Sequence, residues 1–298
     1  MSKRLRTVFF GSGPVALSSL QLLSDRFEVE AIVTKPTTEA EMVKAFPDTH
    51  VFAVQNRHEL ETLVSRQNFS SSFGVLIDFG IIVSQAVIDH FPLGIINSHF
   101  SRLPEWRGAD PITFSILSGQ PQTGVSLMLL VQAMDEGPLL AQAPYNLPAS
   151  ITAPQLTTDL IELSDALLKE VVPLYVQGII TPQNQLAATI GPKEPTYSRK
   201  LTKEDGLLDW AKPADVLERE VRAYAEWPHS YTKLAGHDVI VTKAQLSEQS
   251  GAPGTIIADR KQLIVCCGSK SLEILSLKPA GKPEMTAQAF LAGYGKRL

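Results

Sequence analysis

The sequence predicts an α/β protein in which a Rossmann-like, mostly parallel sheet is followed by a small OB-like β-barrel. Short apolar runs alternate with helical patterns through the first half of the 298-residue chain, which is typical of βαβ units. In the last third, short strand patterns are separated by turn residues, which favours a small barrel. Between these regions lies a stretch that carries Pro, Gln and Gly, has no hydrophobic period and is therefore predicted to be a linker.

The predicted elements follow from local hydrophobic periodicity and from the turn residues around each run. The strands of the first sheet are Leu5–Phe10, Val29–Thr34, Val51–Val54, Gly74–Asp78, Gly94–Asn97, Gln122–Val131 and Leu139–Leu147. The helices are Val15–Ser24, His58–Gln67, Ser84–His90 and the long amphipathic Ala153–Val176. The later elements are a helix at Ala214–Tyr224, strands at Tyr231–Leu234, Val239–Ala244, Gly254–Ala258, Leu263–Val265 and Ser271–Leu277, and a short closing helix. We therefore expect an α/β domain at 1–181, a linker at 182–205 and an OB-like domain at 206–298.

Composition narrows the class of protein. With 44% hydrophobic and 19% charged residues and a net charge of −4, the chain is predicted to be globular. No apolar run approaches the ~18 residues that a membrane span requires, and the amino terminus has no apolar signal core. Cys266 and Cys267 are adjacent, so a disulfide between them is not expected, and two sulfurs do not make a zinc site. A reducing cytoplasm, no metal and no membrane partner are the expectations.

The segment from residue 94 to residue 142 holds the strongest chemical signal. Asn97 and His99 are two apart, so on an extended strand both side chains leave the same face, at the carboxyl end where sites form in such sheets. Asp135 follows later, just before a glycine that suits a tight turn. An amide donor, an imidazole and a carboxylate suit attack of an amine on an acyl carbon, where an oxyanion forms and a proton must leave.

Two stretches carry a family resemblance. "INSHFSRLPEWRGADPI" and "TGVSLMLLVQAMDEGPLLAQ" contain, in order, Asn-x-His, a Ser-x-Leu-Pro turn, Arg-Gly-Ala and Asp-x-Gly. This pattern resembles the formyltransferase family that uses 10-formyltetrahydrofolate. "EPTYSRKLTKEDGLLDW", "VRAYAEWPHSY" and the ending "LEILSLKPAGKPEMTAQAFLAG" are similar to the members that act on charged initiator tRNA.

The resemblance implies a formyltransferase fold and an enzyme of protein biosynthesis that formylates methionyl initiator tRNA. It implies Asn97, His99 and Asp135 as catalytic residues, 10-formyltetrahydrofolate as co-substrate and no metal. The folate would meet the following residues: Phe79, Gly80, Ile81, Ile82, Ser101, Arg102, Leu103 and Pro104. The domain at 206–298 would bind the tRNA, and a monomer is expected.

Other functions compete with this interpretation. Residues 11–16 fit the G-x-G-x-x-A pattern of an NAD-dependent oxidoreductase, but the second strand ends in Val33-Thr34-Lys35 without the acidic residue that ribose recognition favours. A formyltransferase acting on a nucleotide-linked amino sugar would use the same chemistry. A non-catalytic RNA-binding protein is a third class, against which the intact Asn97, His99 and Asp135 set argues.

Three further features bear on the nucleic acid. The segment 37–48 is predicted to be a short acidic loop, although a loop that grips phosphate should be basic. Arg107 and Arg222 are candidates for contact with phosphate or with the terminal adenosine, against the commoner alternative of a surface or ion-paired arginine.

Overall fold

The computed structural model describes residues 4–188 and 194–295. The chain folds into two compact units that interleave in sequence. The first contains the chain up to Pro111, Gln122–Asn146 and Thr157–Arg199, and the second contains Ile112–Pro121, Leu147–Leu156 and the chain from Lys200. The division after Arg199 falls inside the segment predicted as a linker.

The first unit is built on a seven-stranded sheet with the order β3-β2-β1-β4-β5-β7-β8. The strands are β1 (Arg6–Phe10), β2 (Glu28–Thr34), β3 (His50–Ala53), β4 (Gly74–Leu76), β5 (Ile95–His99), β6 (Arg107–Gly108), β7 (Gln122–Leu129), β8 (Leu139–Asn146) and β9 (Tyr197–Ser198). Strands β3, β2, β1, β4 and β5 are parallel, whereas β7 and β8 are antiparallel additions, and β6 pairs with β9 outside this sheet. The predicted mostly parallel sheet is confirmed.

Helices and strands alternate through the first half of the chain, and the buried strands explain why. Val8, Phe9 and Phe10 are fully buried, so β1 needs cover on both faces, as is usual for parallel sheets. The helices up to residue 188 are α1 (Pro14–Ser24), α2 (Pro36–Ala45), α3 (Arg57–Arg66), α4 (Gln85–Ile88), α5 (Pro111–Ser118), α6 (Ala153–Val176) and α7 (Gln185–Ala188). Within the described residues, no helix combines the length and hydropathy that crossing a membrane requires.

The predicted acidic loop at 37–48 is wrong, because most of this segment forms helix α2. Pro36 occupies the first turn, where its missing N–H costs nothing. Glu39 lies in the first turn and Lys44 in the last, which matches the helix dipole, and Met42 is fully buried. The hydrophobic content is too low for the period to show in the sequence, so this helix was not predicted.

The second unit contains an antiparallel, curled sheet with the order β10-β11-β14-β13-β12, to which β15 adds beside β14. Its strands are β10 (Ser230–Leu234), β11 (His237–Ser247), β12 (Ile256–Ala258), β13 (Leu263–Cys266), β14 (Ser271–Pro279) and β15 (Met285–Thr286). Helices α8 (Ala214–Ala223) and α9 (Ala287–Tyr294) complete it. Leu217 of α8 and Phe290 of α9 are fully buried in one hydrophobic cluster with residues of the sheet. The predicted succession of short strands and a closing helix is confirmed.

Candidate active site

Strand β5 carries the two polar side chains that the sequence singled out. All five of its residues are buried, and it lies between β4 and β7 in the sheet. Asn97 and His99 leave one face, while Ser98 leaves the other, where its hydroxyl lies 2.7 Å from the hydroxyl of Ser164 on α6. Strand alternation therefore separates a helix-packed face from the face that holds Asn97 and His99.

Asp135 reaches this face from the turn between β7 and β8. Its Oδ1 lies 3.5 Å from Asn97 Nδ2 and 3.8 Å from His99 Nδ1, and its Oδ2 accepts a 2.7 Å hydrogen bond from the Gly108 backbone N–H. The first two distances are long for hydrogen bonds, whereas the third is short and fixes the carboxylate. Asn97 and His99 therefore converge on one carboxylate oxygen of Asp135, although Asp135 lies far from both of them in the sequence.

The ring of His99 is oriented by a backbone carbonyl. His99 Nε2 lies 2.9 Å from the carbonyl oxygen of Trp106. Because a carbonyl only accepts, Nε2 carries the proton in the neutral ring, and Nδ1 presents its lone pair toward Asp135. Nδ1 is thus the nitrogen that can take up a proton, and once protonated it would face a carboxylate.

Two residues near this centre adopt backbone conformations that are uncommon outside glycine. Asp135 has φ 53° and Trp106 has φ 55°. Such left-handed conformations cost on the order of 1–3 kcal/mol and persist only where the surroundings enforce them. The conformation of Asp135 sets the direction of its carboxylate, and that of Trp106 directs its carbonyl toward His99.

A buried amide supports the turn that carries Asp135. The side chain of Gln185, which is 3% exposed, donates to the carbonyl oxygens of Asp135 at 2.7 Å and Gly137 at 2.9 Å. Its own carbonyl oxygen accepts from Arg107 Nη2 at 2.7 Å, and Arg107 Nη1 binds Glu136 at 3.0 Å. Gln185 was not predicted, because it lies in the segment interpreted as a linker and its partners are far away in sequence.

Replacing Gln185 by methionine is expected to lower kcat about tenfold, with a smaller change in KM, because the Asp135 turn loses both of its amide contacts. The free energy of unfolding should fall by about 1–3 kcal/mol, since Arg107 loses a buried acceptor. The measurements are steady-state kinetics and chemical denaturation. The exposed neighbour Leu186 provides the control, and Leu186→Ala should stay within about 0.5 kcal/mol of the parent. An unchanged kcat in Gln185→Met would limit this residue to stability.

Several backbone polar groups of the turn Ser101–Pro104 form hydrogen bonds with other parts of the protein. Ser126 Oγ donates to the Ser101 carbonyl at 2.7 Å and accepts from the Leu103 N–H at 3.0 Å. Gln142 donates to the Leu103 carbonyl at 2.7 Å, and the Pro104 carbonyl accepts from the Thr196 N–H. Because these backbone groups already have partners, the turn can contact a ligand by packing more readily than by forming new backbone hydrogen bonds.

Arg102 turns toward the edge of the sheet. It donates to Gln122 Oε1 at 3.1 Å and lines a cleft of about 650 Å³. Gln142, Ile179 and Ile180 also line this cleft. The cleft follows strand β8 and does not include Asn97, His99 or Asp135.

The loop Phe79–Ile82 follows β4, the strand beside β5. Phe79 is 1% exposed and anchors the loop, whereas Ile82 is 67% exposed. Gly80 has φ 64° and leaves room there for the side chain of Lys35. Apart from the Phe79 carbonyl, which accepts from Ser12 Oγ, the backbone of this loop makes no hydrogen bond to any described residue. Polar backbone next to an exposed apolar side chain suits a flat heterocycle with polar edges.

The glycine turn at residues 11–16 does not suit a dinucleotide. Pro14 begins α1, so one N–H is missing from the helix start, and no side chain caps it. A carboxylate oxygen of Asp78 lies 3.6 Å from the position that a Cβ on Gly13 would occupy, and this negative charge would oppose a pyrophosphate. Lys35, the residue that follows β2, also cannot accept hydrogen bonds from a ribose hydroxyl.

Arg222 is engaged within the second unit. Its guanidinium forms a two-pronged ion pair with Glu218 at 2.7 and 2.9 Å and donates to the Ile151 carbonyl at 2.8 Å. Arg107 is engaged within the first unit, where it binds Gln185 and Glu136. The commoner alternative, an arginine that forms ion pairs and hydrogen bonds within the protein, therefore accounts for both residues.

Comparison with known families agrees with this architecture. The model described as "Formyl transferase" matches residues 24–172, and "Formyl transferase, C-terminal domain" matches residues 200–295. The chain is 35% identical to the methionyl-tRNA formyltransferase of Chloroflexus aurantiacus over 97% of each chain. It is 34% identical to the enzyme of that name from Myxococcus xanthus, over 98% of this chain and 96% of the relative. The chain belongs to the formyl transferase family.

Solved structures of this fold extend to lower identity. WlaRD, a sugar 3N-formyltransferase, has a TM-score of 0.69 at 13% identity, over 95% of this chain and 100% of its own. HypX from Aquifex aeolicus, in complex with tetrahydrofolic acid, has a TM-score of 0.65 at 16% identity, over 99% of this chain and 48% of its own. At these identities the similarity shows the shared fold, and it confirms the predicted fold class.

Proposed function

We propose that this protein transfers the formyl group of 10-formyltetrahydrofolate to the α-amino group of methionine esterified to initiator tRNA. The observation that carries the proposal is the convergence of Asn97 and His99 on Asp135 Oδ1. It occurs in a chain that matches relatives called methionyl-tRNA formyltransferase over nearly their whole length. The protein would act as a monomer in the cytoplasm, where translation begins.

The side chains at this site supply what formyl transfer to an amine needs. The amine must attack as the free base, forming a new N–C bond and a tetrahedral centre with negative charge on the formyl oxygen. Asn97 would donate its amide N–H to that oxygen, and protonated His99 Nδ1 would add a second donor. Asp135 would pair with the imidazolium and receive the amine proton, directly or through water. That proton would then pass to N10 of the folate as the C–N10 bond breaks.

The folate is proposed to lie against the loop Phe79–Ile82 and the turn Ser101–Pro104. The free backbone groups of Ile81 and Ile82 fit the polar edge of a pterin, and the exposed side chain of Ile82 fits its apolar face, whereas Lys35 lies over Gly80. Because the backbone groups of the turn are already bonded to Ser126, Gln142 and Thr196, the turn would contribute packing.

The second unit is proposed to bind the tRNA. Lys243 and Lys278 lie exposed on the neighbouring strands β11 and β14. The chain as a whole carries a net charge of −4, so a polyanion needs such local positive charge. This proposal predicts that the logarithm of the association constant for tRNA falls linearly as log[salt] rises.

One assay tests the activity directly. The purified protein is incubated with 10-formyltetrahydrofolate and methionyl initiator tRNA, and the amino acid released by mild base is analysed for formyl-methionine by mass spectrometry. Formyl-methionine at catalytic turnover is the expected result. Parallel reactions offer a nucleotide-linked amino sugar as acceptor. Formylation of the sugar without formylation of the charged tRNA would overturn the proposal in favour of the sugar.

A further inference from the structure

Two opposite charges are held apart at the carboxyl edge of the sheet in the first unit. Lys35 follows β2, and Asp78 follows β4 with φ 48°. Desolvation raises the pKa of the Asp78 carboxyl, Lys35 lowers it and Asp110 raises it further. The two groups are therefore within electrostatic range, but no hydrogen bond or ion pair joins them within the described residues. A charged pair left open in this way leaves both groups available to a ligand.

The backbone keeps this separation. Asp78 is fixed because its carbonyl oxygen accepts a 2.9 Å hydrogen bond from the Ser12 N–H. Lys35 Nζ lies only 2.6 Å from the position that a Cβ on Gly80 would occupy, so the ammonium packs against the backbone of Gly80 where no side chain intervenes. The carboxylate lies against Gly13. Gly80 thus makes room for the ammonium, whereas a Cβ on Gly13 would only be in ordinary van der Waals contact with the carboxylate.

The pair lies beside the proposed reaction centre. Leu76 is the register partner of Asn97 across the parallel pair β4–β5, so Asp78 follows β4 at the level where His99 ends β5. Neighbouring strands are about 4.8 Å apart. Asp110, which acts electrostatically on Asp78, is two residues from Gly108, the residue that binds the carboxylate of Asp135. An acceptor whose amine lies at His99 would place its next few atoms near Asp78.

The acceptor of the proposed reaction has the matching chemistry. In an aminoacyl ester of a terminal ribose, the free hydroxyl next to the ester lies only a few bonds from the amine, and the 5′ phosphate lies beyond it. A carboxylate accepts hydrogen bonds from a hydroxyl, and an ammonium attracts a phosphate. We propose that Asp78 binds the free ribose hydroxyl of the terminal nucleotide and that Lys35 binds its 5′ phosphate. This inference rests on the proposed function and adds two specificity residues for the acceptor.

Charged tRNA ending in adenosine or in 2′-deoxyadenosine tests the role of Asp78. Asp78→Asn should lower kcat/KM for the adenosine form about tenfold but leave the deoxy form nearly unchanged, because the lost hydrogen bond needs the hydroxyl. Exposed Asp89 provides the control, and Asp89→Asn should have the kcat/KM of the parent on both tRNAs. Equal losses on both tRNAs would overturn the role, since a purely structural carboxylate does not distinguish them.

The salt dependence tests Lys35. In Lys35→Met, the slope of log kcat/KM for charged tRNA against log[salt] should become shallower by about 0.7, the value for one lost single-strand phosphate contact. Lys44→Met, on the exposed side of α2, should keep the parent slope. A raised KM for 10-formyltetrahydrofolate with an unchanged tRNA slope would assign Lys35 to the folate and overturn the inference. Failure of the unaltered protein to formylate charged tRNA would instead overturn the proposed function.

Discussion

Replacing His99 by alanine is expected to lower kcat for formyl transfer by about 10²–10³-fold while the protein stays folded. The imidazole is buried, and its Nδ1 faces Asp135 at 3.8 Å, so alanine removes a donor to the oxyanion and the partner that Asp135 would stabilise. Asn97→Ala and Asp135→Ala should cost a similar factor, since each removes one member of the same set. Single-turnover rates at saturating folate and charged tRNA measure the effect.

Ser98 provides a matched control within the same strand. Its side chain leaves the opposite face of β5 and contacts Ser164, so Ser98→Ala changes packing without touching the proposed chemistry. The rate for Ser98→Ala should remain near that of the parent. Parent-like turnover in His99→Ala would remove the imidazole from the mechanism. A melting temperature lowered by many degrees, with the residual activity following the folded fraction, would assign His99 to the fold.

Replacing Gly137 by alanine is expected to damage stability and activity together. A Cβ on Gly137 would lie 1.7 Å from the carbonyl oxygen of Leu129, which is far inside van der Waals contact. Leu129 is the last residue of β7, and its N–H donates to the Pro138 carbonyl, so no side-chain rotation can relieve the clash. The turn that carries Asp135 must therefore move.

This movement should lower the free energy of unfolding by about 1–3 kcal/mol, as overpacking commonly does. It should also lower kcat by about 10²-fold, because a displacement of about 1 Å at a reacting group has that effect. Denaturant titration and steady-state kinetics measure the two quantities. Gly293→Ala in α9 provides the control, since a Cβ there meets no heavy atom within 4 Å and should stabilise by about 0.5–1 kcal/mol. Parent-like kinetics in Gly137→Ala would show that Asp135 tolerates a moved turn.

Local periodicity determined much of the architecture. Helix α6 begins and ends as predicted, because its leucines recur at helical spacing over 24 residues. The pairing of Asn97 with His99 also follows from local chemistry, because a strand repeats its faces every second residue. Helix α2 was missed, since few of its residues are apolar and only Met42 is buried. A weak hydrophobic period cannot distinguish such a helix from a polar loop.

The sequence by itself determined the fold class, the order of most elements and the residue types of the candidate site. Only the tertiary structure decided which nitrogen of His99 faces Asp135, because that depends on the Trp106 carbonyl. It alone decided that Gln185 supports the Asp135 turn and that Lys35 and Asp78 lie apart at one edge of the sheet. The physical reason is the same in each case: secondary structure follows from neighbours along the chain, whereas hydrogen bonds and charge pairs between distant segments depend on how strands and loops are brought together.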